Sequence, residues 1–238
     1  MRNPGDKVVA IHQPNFLPWL GFFDKIRRCD VFIAMDNAQF SKTGGTWTNR
    51  VQMIVNGELA WLTMPIVRAY HGVLPIRDMK LREDSAWRAK LLRTIEQNYR
   101  RAPHFKDVFR LLEEAIRNPT PDLAEFNLGA IRALCEALGL DTPMIIGTSL
   151  QVEGRATDLL VRMVKAVGGT AYFAGGGAAG YQEDDKFQEA GVKVIYQEFQ
   201  HPTYPQFNTS DFKAGLSVVD ALMNCGFAGT AELLARSA

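Results

Sequence analysis

The chain has 238 residues, of which 47% are hydrophobic, and its 27 basic and 26 acidic residues give a formal net charge of +1. This length and apolar content suffice for a compact core, so a disordered chain is not expected. A nearly neutral chain has no global field that would attract nucleic acid, and we expect no nucleic-acid partner. No apolar run approaches the roughly 20 residues of a membrane-spanning helix, so no membrane span is expected.

The first residues and the cysteines indicate a cell compartment. The start MRNPGDKVVAIHQ lacks the apolar core of a signal peptide. Cys29, Cys135 and Cys225 are too scattered for a disulfide framework or a zinc knuckle. No two histidines have helical ligand spacing, so no tightly bound metal is predicted, and weak binding of magnesium together with a nucleotide substrate is left open. No other cofactor is predicted. We expect a cytoplasmic protein with reduced cysteines.

Strand and helix patterns alternate along the chain. Apolar runs predict strands at about residues 7–12, 30–36, 60–66, 143–148, 170–174 and 192–197. The alternation predicts an α/β fold with a mostly parallel sheet flanked by helices. Between about residues 85 and 139 three successive helical patterns occur instead. Because sheet-forming segments return after them, we predict one α/β domain over residues 1–238 with a helical insertion at 85–139.

Several predicted strands end in polar or glycine-rich sequence. The first strand runs into His12 and Gln13, and the second ends at Asp36 and Asn37. Later strands end at residues 147–149 and 175–177. In a parallel sheet these carboxyl ends share one edge, where ligands of open α/β sheets bind. The predicted site is that edge.

His12 and Asp36 are the candidate catalytic residues. A neutral imidazole can take a proton from an amine or hydroxyl nucleophile, and Asp36 could orient it through a second hydrogen bond. The alternatives are a histidine that bonds a backbone carbonyl at the strand end and an aspartate that starts an Asx turn. Amide side chains suit the recognition of sugar or ribose hydroxyls, and the candidates are Gln13, Asn15, Asn37 and Gln39.

A glycine run follows one strand at Gly175, Gly176 and Gly177 and continues to Tyr181. Backbone N–H groups of such a run can approach a phosphate or carboxylate closely, and Tyr181 could stack on a ring. The run lacks the lysine and hydroxyl residue of a P-loop and the pattern of a dinucleotide fingerprint. A tight connection anchored by a half-buried tyrosine is the alternative.

Other substrate-binding candidates lie in loops. Asn49 and Arg50 follow a glycine-containing loop that could close on an anionic group, with Lys42 assisting, although charged side chains beside glycines are usually solvated. Ser149 lies after a predicted strand. A proline-braced segment could line a pocket wall through His201, Tyr204 and Gln206. A loop that covers the edge of the core is the alternative for that segment.

Several sequence blocks occur in an order that is specific to one protein family. They are HQPNFLPWLGFFDKI (residues 12–26), CDVFIAMDNAQFSK (29–42) and WTNRVQ (47–52), followed by blocks at 61–65, 98–105, 147–150, 172–181 and 201–206. This pattern resembles the WbqC-like protein family. The resemblance implies a bacterial protein associated with gene clusters for surface polysaccharide, O-antigen or lipopolysaccharide. The resemblance limits the candidate pathways more than it limits the candidate reactions.

Two classes of function remain open. The first is an enzyme that transfers an acyl or aminoacyl group to an activated amino sugar, with a small-molecule or carrier-linked substrate such as a nucleotide sugar. Nucleotidyl transfer is a weaker variant. The opening strand, histidine loop and helix are loosely similar to nucleotidylyltransferases of the α/β phosphodiesterase superfamily, but Trp19-Leu20-Gly21-Phe22 stands where the glycine–histidine half of their signature is expected. The second is a non-catalytic binding or assembly protein of a glycan-building complex, whose aromatic side chains form a partner or sugar-binding face, namely Phe16, Trp19, Phe22, Phe23 and Trp47. The oligomeric state is left open.

Overall fold

The computed structural model describes residues 3–41, 47–83, 86–176 and 182–236. Strands in this part of the chain are Val8–His12 (β1), Val31–Ala34 (β2), Arg50–Val55 (β3), Glu58–Thr63 (β4), Met144–Ile146 (β5), Ala171–Ala174 (β6) and Lys193–Tyr196 (β7). Helices are Leu20–Arg27 (α1), Trp87–Tyr99 (α2), Phe105–Arg117 (α3), Leu123–Ala137 (α4), Ala156–Ala166 (α5), Asp184–Glu189 (α6) and Val218–Arg236 (α7). Short 3-10 turns occur at Ile76–Asp78 and Gly147–Leu150.

Five of the strands form a parallel sheet in the order β5-β2-β1-β6-β7. Every neighbouring pair in this sheet is parallel, which confirms the predicted α/β fold with a mostly parallel sheet. The chain builds outward from β1 through β2 to β5, and then continues on the other side of β1 with β6 and β7. The direction of winding therefore reverses between β1 and β6, and this reversal is the topological switch point of the sheet.

Both faces of the sheet are covered, as the continuous apolar sequence of its strands predicts. On one face, Val8 and Ala10 of β1 belong to a core cluster that includes side chains of α1 and α7. On the other face, Val9 and Ile11 pack with side chains of α5 and with Phe187 of α6. Because apolar side chains cover both faces, a polar binding site on this sheet is expected at the ends of the strands.

The predicted helical insertion contains α2, α3 and α4, which lie between β4 and β5 in the chain. Their apolar side chains recur at helical spacing and join the same core cluster as α1, α7 and one face of the sheet. α3 packs against α4 and against α7. The extent of the single domain, 1–238, stays a prediction.

The predicted sheet strand at 60–66 is wrong in its pairing. Residues 58–63 instead pair antiparallel with β3 in a separate two-stranded hairpin. Its turn is Asn56-Gly57, and both residues have positive φ, 53° and 83°. An Asn-Gly pair between two strands is the strongest short-range hairpin signal, because both central residues of a type I′ turn need positive φ. That signal was present in the sequence.

One helix in the described part of the chain, α7, has the length and apolar composition to cross a membrane. Most of its apolar window is buried inside the protein, which is typical of a core helix. α7 is not an uninterrupted apolar run, since it contains Asp220, Glu232 and Arg236, and the expected absence of a membrane span stays a prediction.

α7 changes direction at Gly226, where φ is 71° and ψ is −178°. Only glycine adopts this region without strain. The imidazole of His104, just before α3, lies against the same position, and a Cβ at Gly226 would be 2.7 Å from its Nδ1. Glycine therefore serves both the backbone angle and the close approach of two helices.

We expect Gly226→Ala to lower the free energy of unfolding by about 1–3 kcal/mol, because the backbone is strained and the new methyl overlaps the His104 ring. Chemical denaturation measures this. Gly129→Ala in α4 is the matched control, because its new Cβ would meet its nearest neighbour at 3.5 Å. A helical glycine replaced in this way stabilises by about 0.5–1 kcal/mol. Equal effects of the two changes would contradict the described kink.

Candidate functional site

A crevice opens at the switch point, beyond the carboxyl ends of β1 and β6. It consists of a cavity of about 510 Å³ and an adjoining cavity of about 270 Å³. His12, Lys25 and Gly175 line both of them. We call these two cavities the switch-point crevice. Concave sites of this size at switch points are the usual ligand sites of open α/β sheets.

His12 ends β1 and turns its ring toward α1, where the ring meets Phe22 edge-on at 5.0 Å between centroids. Its Nδ1 lies 2.9 Å from the carbonyl oxygen of Gln13. Because a carbonyl only accepts, Nδ1 carries the hydrogen in the neutral ring and Nε2 remains an acceptor. Burial and the charge of Lys25 lower the pKa of His12 to about 4. The imidazole is therefore neutral at pH 7.

Lys25 is a candidate site residue that sequence reasoning missed. It lies in α1 with only 3% of its surface exposed, and burial lowers its pKa from 10.5 to about 8. Its side chain forms no hydrogen bond or ion pair with another described residue. The ammonium lies close to the glycine run, since a Cβ at Gly175 would be 3.2 Å from Nζ. The signal was a lysine in the amphipathic helix pattern, two residues after the apolar sequence Leu20-Gly21-Phe22-Phe23 and one turn after Gly21.

Asp24, the chain neighbour of Lys25, is fully buried but has other partners. Its carboxylate accepts hydrogen bonds from Arg27 at 3.1 Å, Arg28 at 3.4 Å and the Nε2 of Gln197 at 2.9 Å. Gln197 also donates to the carbonyl of Gly21 at 2.8 Å. Asp24 therefore holds α1 to the chain that follows β7, and it does not neutralise Lys25.

Asp36 is bonded to the turn after β5 and not to His12. Its two carboxylate oxygens accept from the backbone N of Thr148 at 2.9 Å and from the Thr148 hydroxyl at 2.7 Å. Asp36 and His12 form no hydrogen bond. Asp36 therefore does not orient His12 through a hydrogen bond in this structure, because both of its carboxylate oxygens accept hydrogen bonds from Thr148.

The remaining candidates near the strand ends divide into two groups. Gln13 and Gln39 line the larger cavity, and Gly176 lines the smaller one. Asn15, Asn37 and Ser149 do not line either cavity. Asn15 is buried in the loop after β1, Asn37 contributes a buried Oδ1 without a hydrogen-bond partner, and Ser149 donates to the carbonyl of Ile146 at 2.7 Å.

Asn49 and Arg50 belong to the hairpin rather than to the crevice. Asn49 donates to the carbonyl of Met64 at 3.0 Å. The guanidinium of Arg50 lies 4.2 Å from the ring centroid of Trp61, a cation–π contact. Asn49 also borders a separate cavity of about 440 Å³, and no strand end of the parallel sheet lines that cavity.

The proline-braced segment contributes to the rim and to the core. His201 lies 5.1 Å from Trp19 and 5.2 Å from Phe199 between ring centroids, and these two rings line the smaller cavity. Tyr204 and Gln206 instead donate to the buried Asp220 at 2.8 and 2.9 Å. These last two contacts explain the residues as structural partners of Asp220.

The side chain of Asp220 has a full set of donors. Tyr99 of α2 donates to its other oxygen at 2.7 Å, so three donors from two segments surround one carboxylate on α7. Burial raises the pKa of Asp220, and these hydrogen bonds oppose the rise. The cluster connects α2, the 201–206 segment and α7.

The loop after β1 is held from the helical insertion. Asn127 of α4, fully buried, donates to the carbonyl of Pro14 at 2.8 Å and to that of Thr48 at 2.7 Å. Phe16 donates its backbone N–H to the carbonyl of Trp47 at 2.9 Å. The loop after β1 and the residues just before β3 are thus joined through the Asn127 side chain and through one backbone hydrogen bond.

Three predictions fall outside the described residues, namely those on Lys42, Gly177 and Tyr181. In the described part, no group of three His, Cys, Asp or Glu side chains is arranged to hold a metal ion. The predicted aromatic partner face is wrong for Phe16, Phe22 and Phe23, which are core side chains with at most 1% exposure. Trp47 is 41% exposed.

Comparison with known proteins gives one family and one curated relative. A model described as the WbqC-like protein family matches residues 13–232. A protein of Mycobacterium tuberculosis, named Uncharacterized protein Rv1507c, is 28% identical over 223 residues, which cover 92% of this chain and 94% of the relative. No solved structure matches the chain.

We expect Lys25→Met to stabilise the protein at about pH 7.5 by up to about 3 kcal/mol, because it removes a buried charge that has no partner. The advantage shrinks between pH 8 and 10.5, where folded Lys25 is neutral and unfolded lysine still binds a proton, so the wild type gains stability with pH. Thermal melts of both proteins at about pH 7.5 and about pH 10 measure the difference in stability between Lys25→Met and the wild type.

Lys165→Met, an exposed lysine in the last turn of α5, is the control and changes stability by less than about 0.5 kcal/mol. A gap for Lys25→Met that stays constant across this pH range would show that Lys25 titrates normally.

Proposed function

The chain belongs to the WbqC-like protein family, and from this premise we propose that it is an enzyme that transfers an acyl or aminoacyl group to the amine of an activated amino sugar. One observation carries the proposal. A neutral histidine and an unpaired, buried lysine face one crevice at the switch point of the sheet. Titratable groups with shifted pKa values in a cleft mark a candidate catalytic site.

In the proposed reaction the sugar amine attacks the carbonyl carbon of an activated acyl donor, such as a thioester. A C–N bond forms, and the carbonyl π electrons move to oxygen. Nε2 of His12 takes the proton from the nitrogen, and collapse of the tetrahedral intermediate expels the thiolate, which receives that proton. A protonated Lys25 stabilises the negative charge on oxygen in a site of low dielectric.

Direct attack fits the described lining of the crevice better than an acyl-enzyme does. The described lining residues include no serine or cysteine. Thr157 carries the one hydroxyl on an aliphatic side chain among them, and its Oγ1 already accepts from the backbone N of Glu183 at 3.2 Å. Burial raises the pKa of Cys29 to about 12, so this thiol in the neighbouring core is not a nucleophile at neutral pH.

The biological setting of the proposal comes from the family. The resemblance implies surface-polysaccharide or lipopolysaccharide assembly, in which activated sugars are made in the cytoplasm, and we propose that setting for this chain. A non-catalytic assembly role is less well supported, because three of the five aromatic side chains on which that alternative depended lie in the core.

We expect His12→Gln to lower kcat for transfer from a thioester donor to a nucleotide-linked amino sugar by about 10²–10⁴-fold, because it removes the proton acceptor. Mass spectrometry of the acylated sugar and release of free thiol measure the rate.

His71→Gln is the matched control, since His71 lies exposed in a loop, and it keeps the wild-type rate. A His12→Gln protein that folds and turns over as fast as the wild type would remove the proposed base.

A further inference from the structure

We infer that the switch-point crevice contains a subsite for a phosphate group, formed by Lys25 and the first turn of α5. This inference rests on the proposed function, because the phosphate would belong to one of the two substrates of the group transfer. It adds what the proposal does not name, namely the chemical group that positions a substrate and the residues that hold it.

The first element of the subsite is Lys25. Its side chain is almost completely buried, lines both cavities and has no acidic partner among the described residues. A buried ammonium is costly unless an anion or several acceptors surround it. Since Asp24 is bonded to Arg27, Arg28 and Gln197, the missing counter-charge has to come from outside the described chain.

The second element is the N-terminus of α5. Ala156 and Thr157, its first two residues, line the larger cavity opposite Lys25. No side chain caps this end, and the residue before it, Arg155, forms no capping hydrogen bond. The first N–H groups of a helix have no acceptor within the helix and carry a partial positive charge, so they attract an anion.

The charges around the two elements leave the crevice positive. Neither cavity has an aspartate or glutamate among its described lining residues. The acid in the first turn of α5, Asp158, pairs with Lys186 at 3.0 Å. The field of Lys25 and of the helix end is therefore not cancelled by the described residues that face it.

The geometry favours phosphate over a single carboxylate. Lys25 approaches from α1 and the N–H groups of α5 approach from the opposite face of the sheet, so an anion with several oxygens can bond both. A glycine at position 175 leaves this space open, because a side chain there would press on the ammonium at 3.2 Å. The larger cavity, about 510 Å³, has room for a phosphate and part of the molecule that carries it.

The test is calorimetric titration of the full chain with inorganic pyrophosphate. Lys25→Met weakens binding by about 10–100-fold, the usual loss when one charge-assisted hydrogen bond is removed. Lys165→Met, at the opposite end of α5, binds as the wild type does. No binding to the wild type, or equal binding by Lys25→Met, overturns the inference.

A second pair of variants tests the helix end independently of Lys25. Ala156 has a φ of 47°, a conformation that Asp and Asn adopt more readily than Ala, so both replacements are compatible with the fold. Ala156→Asp places a carboxylate in the subsite and abolishes pyrophosphate binding, whereas the neutral, nearly isosteric Ala156→Asn retains most of it. Equal affinity of these two variants overturns the role of α5.

Two sources of the phosphate are separated by competition. A uridine diphosphate sugar and phosphopantetheine are each titrated against bound pyrophosphate, and the stronger competitor identifies the acceptor sugar or the carrier-linked donor as the source. Binding is measured without turnover. Binding lost in Lys25→Met together with unchanged turnover in His12→Gln would keep the subsite and reject the proposed base, and the reverse pattern would keep the base and reject the subsite.

Discussion

The packing of α1 against the carboxyl ends of β1 and β6 is the contact on which the crevice depends. Phe22 meets both His12 and Phe32 edge-on, and Gln197 bonds the helix backbone at Gly21. Trp19 folds over the same glycine so closely that a Cβ there would be 2.2 Å from its ring. Because α1 is fixed in this way, Lys25 points into the crevice rather than toward water.

Two buried ionisable side chains, Asp220 and Lys25, differ in how far hydrogen bonds compensate their burial. Asp220 receives hydrogen bonds from Tyr99, Tyr204 and Gln206, so its burial is compensated within the fold. Lys25 is buried to a similar degree and receives no such compensation from the described residues. The uncompensated charge lies at the switch point, where a fold is expected to keep binding capacity at the expense of stability.

Local patterns in the sequence were enough to find the five strands of the parallel sheet and the helical insertion, because period and length are properties of single segments. They also led to His12, whose place after a buried strand is local. They did not show that the strand predicted at 60–66 pairs outside that sheet. Pairings between distant segments were not accessible, since nothing near Asp36 indicates Thr148, and nothing near Tyr204 indicates Asp220. Lys25 was overlooked because a lysine in a helix is normally solvated, and its burial depends on β1, β6 and the chain after β7 together.

Asn127 gives the helical insertion a consequence for how this protein can evolve. Its amide donates to carbonyls in two different loops, one beside the crevice and one at the hairpin. Excising the insertion would remove the Asn127 donor from both loops, so the segment is not a removable module. The insertion and the crevice therefore have to be inherited together.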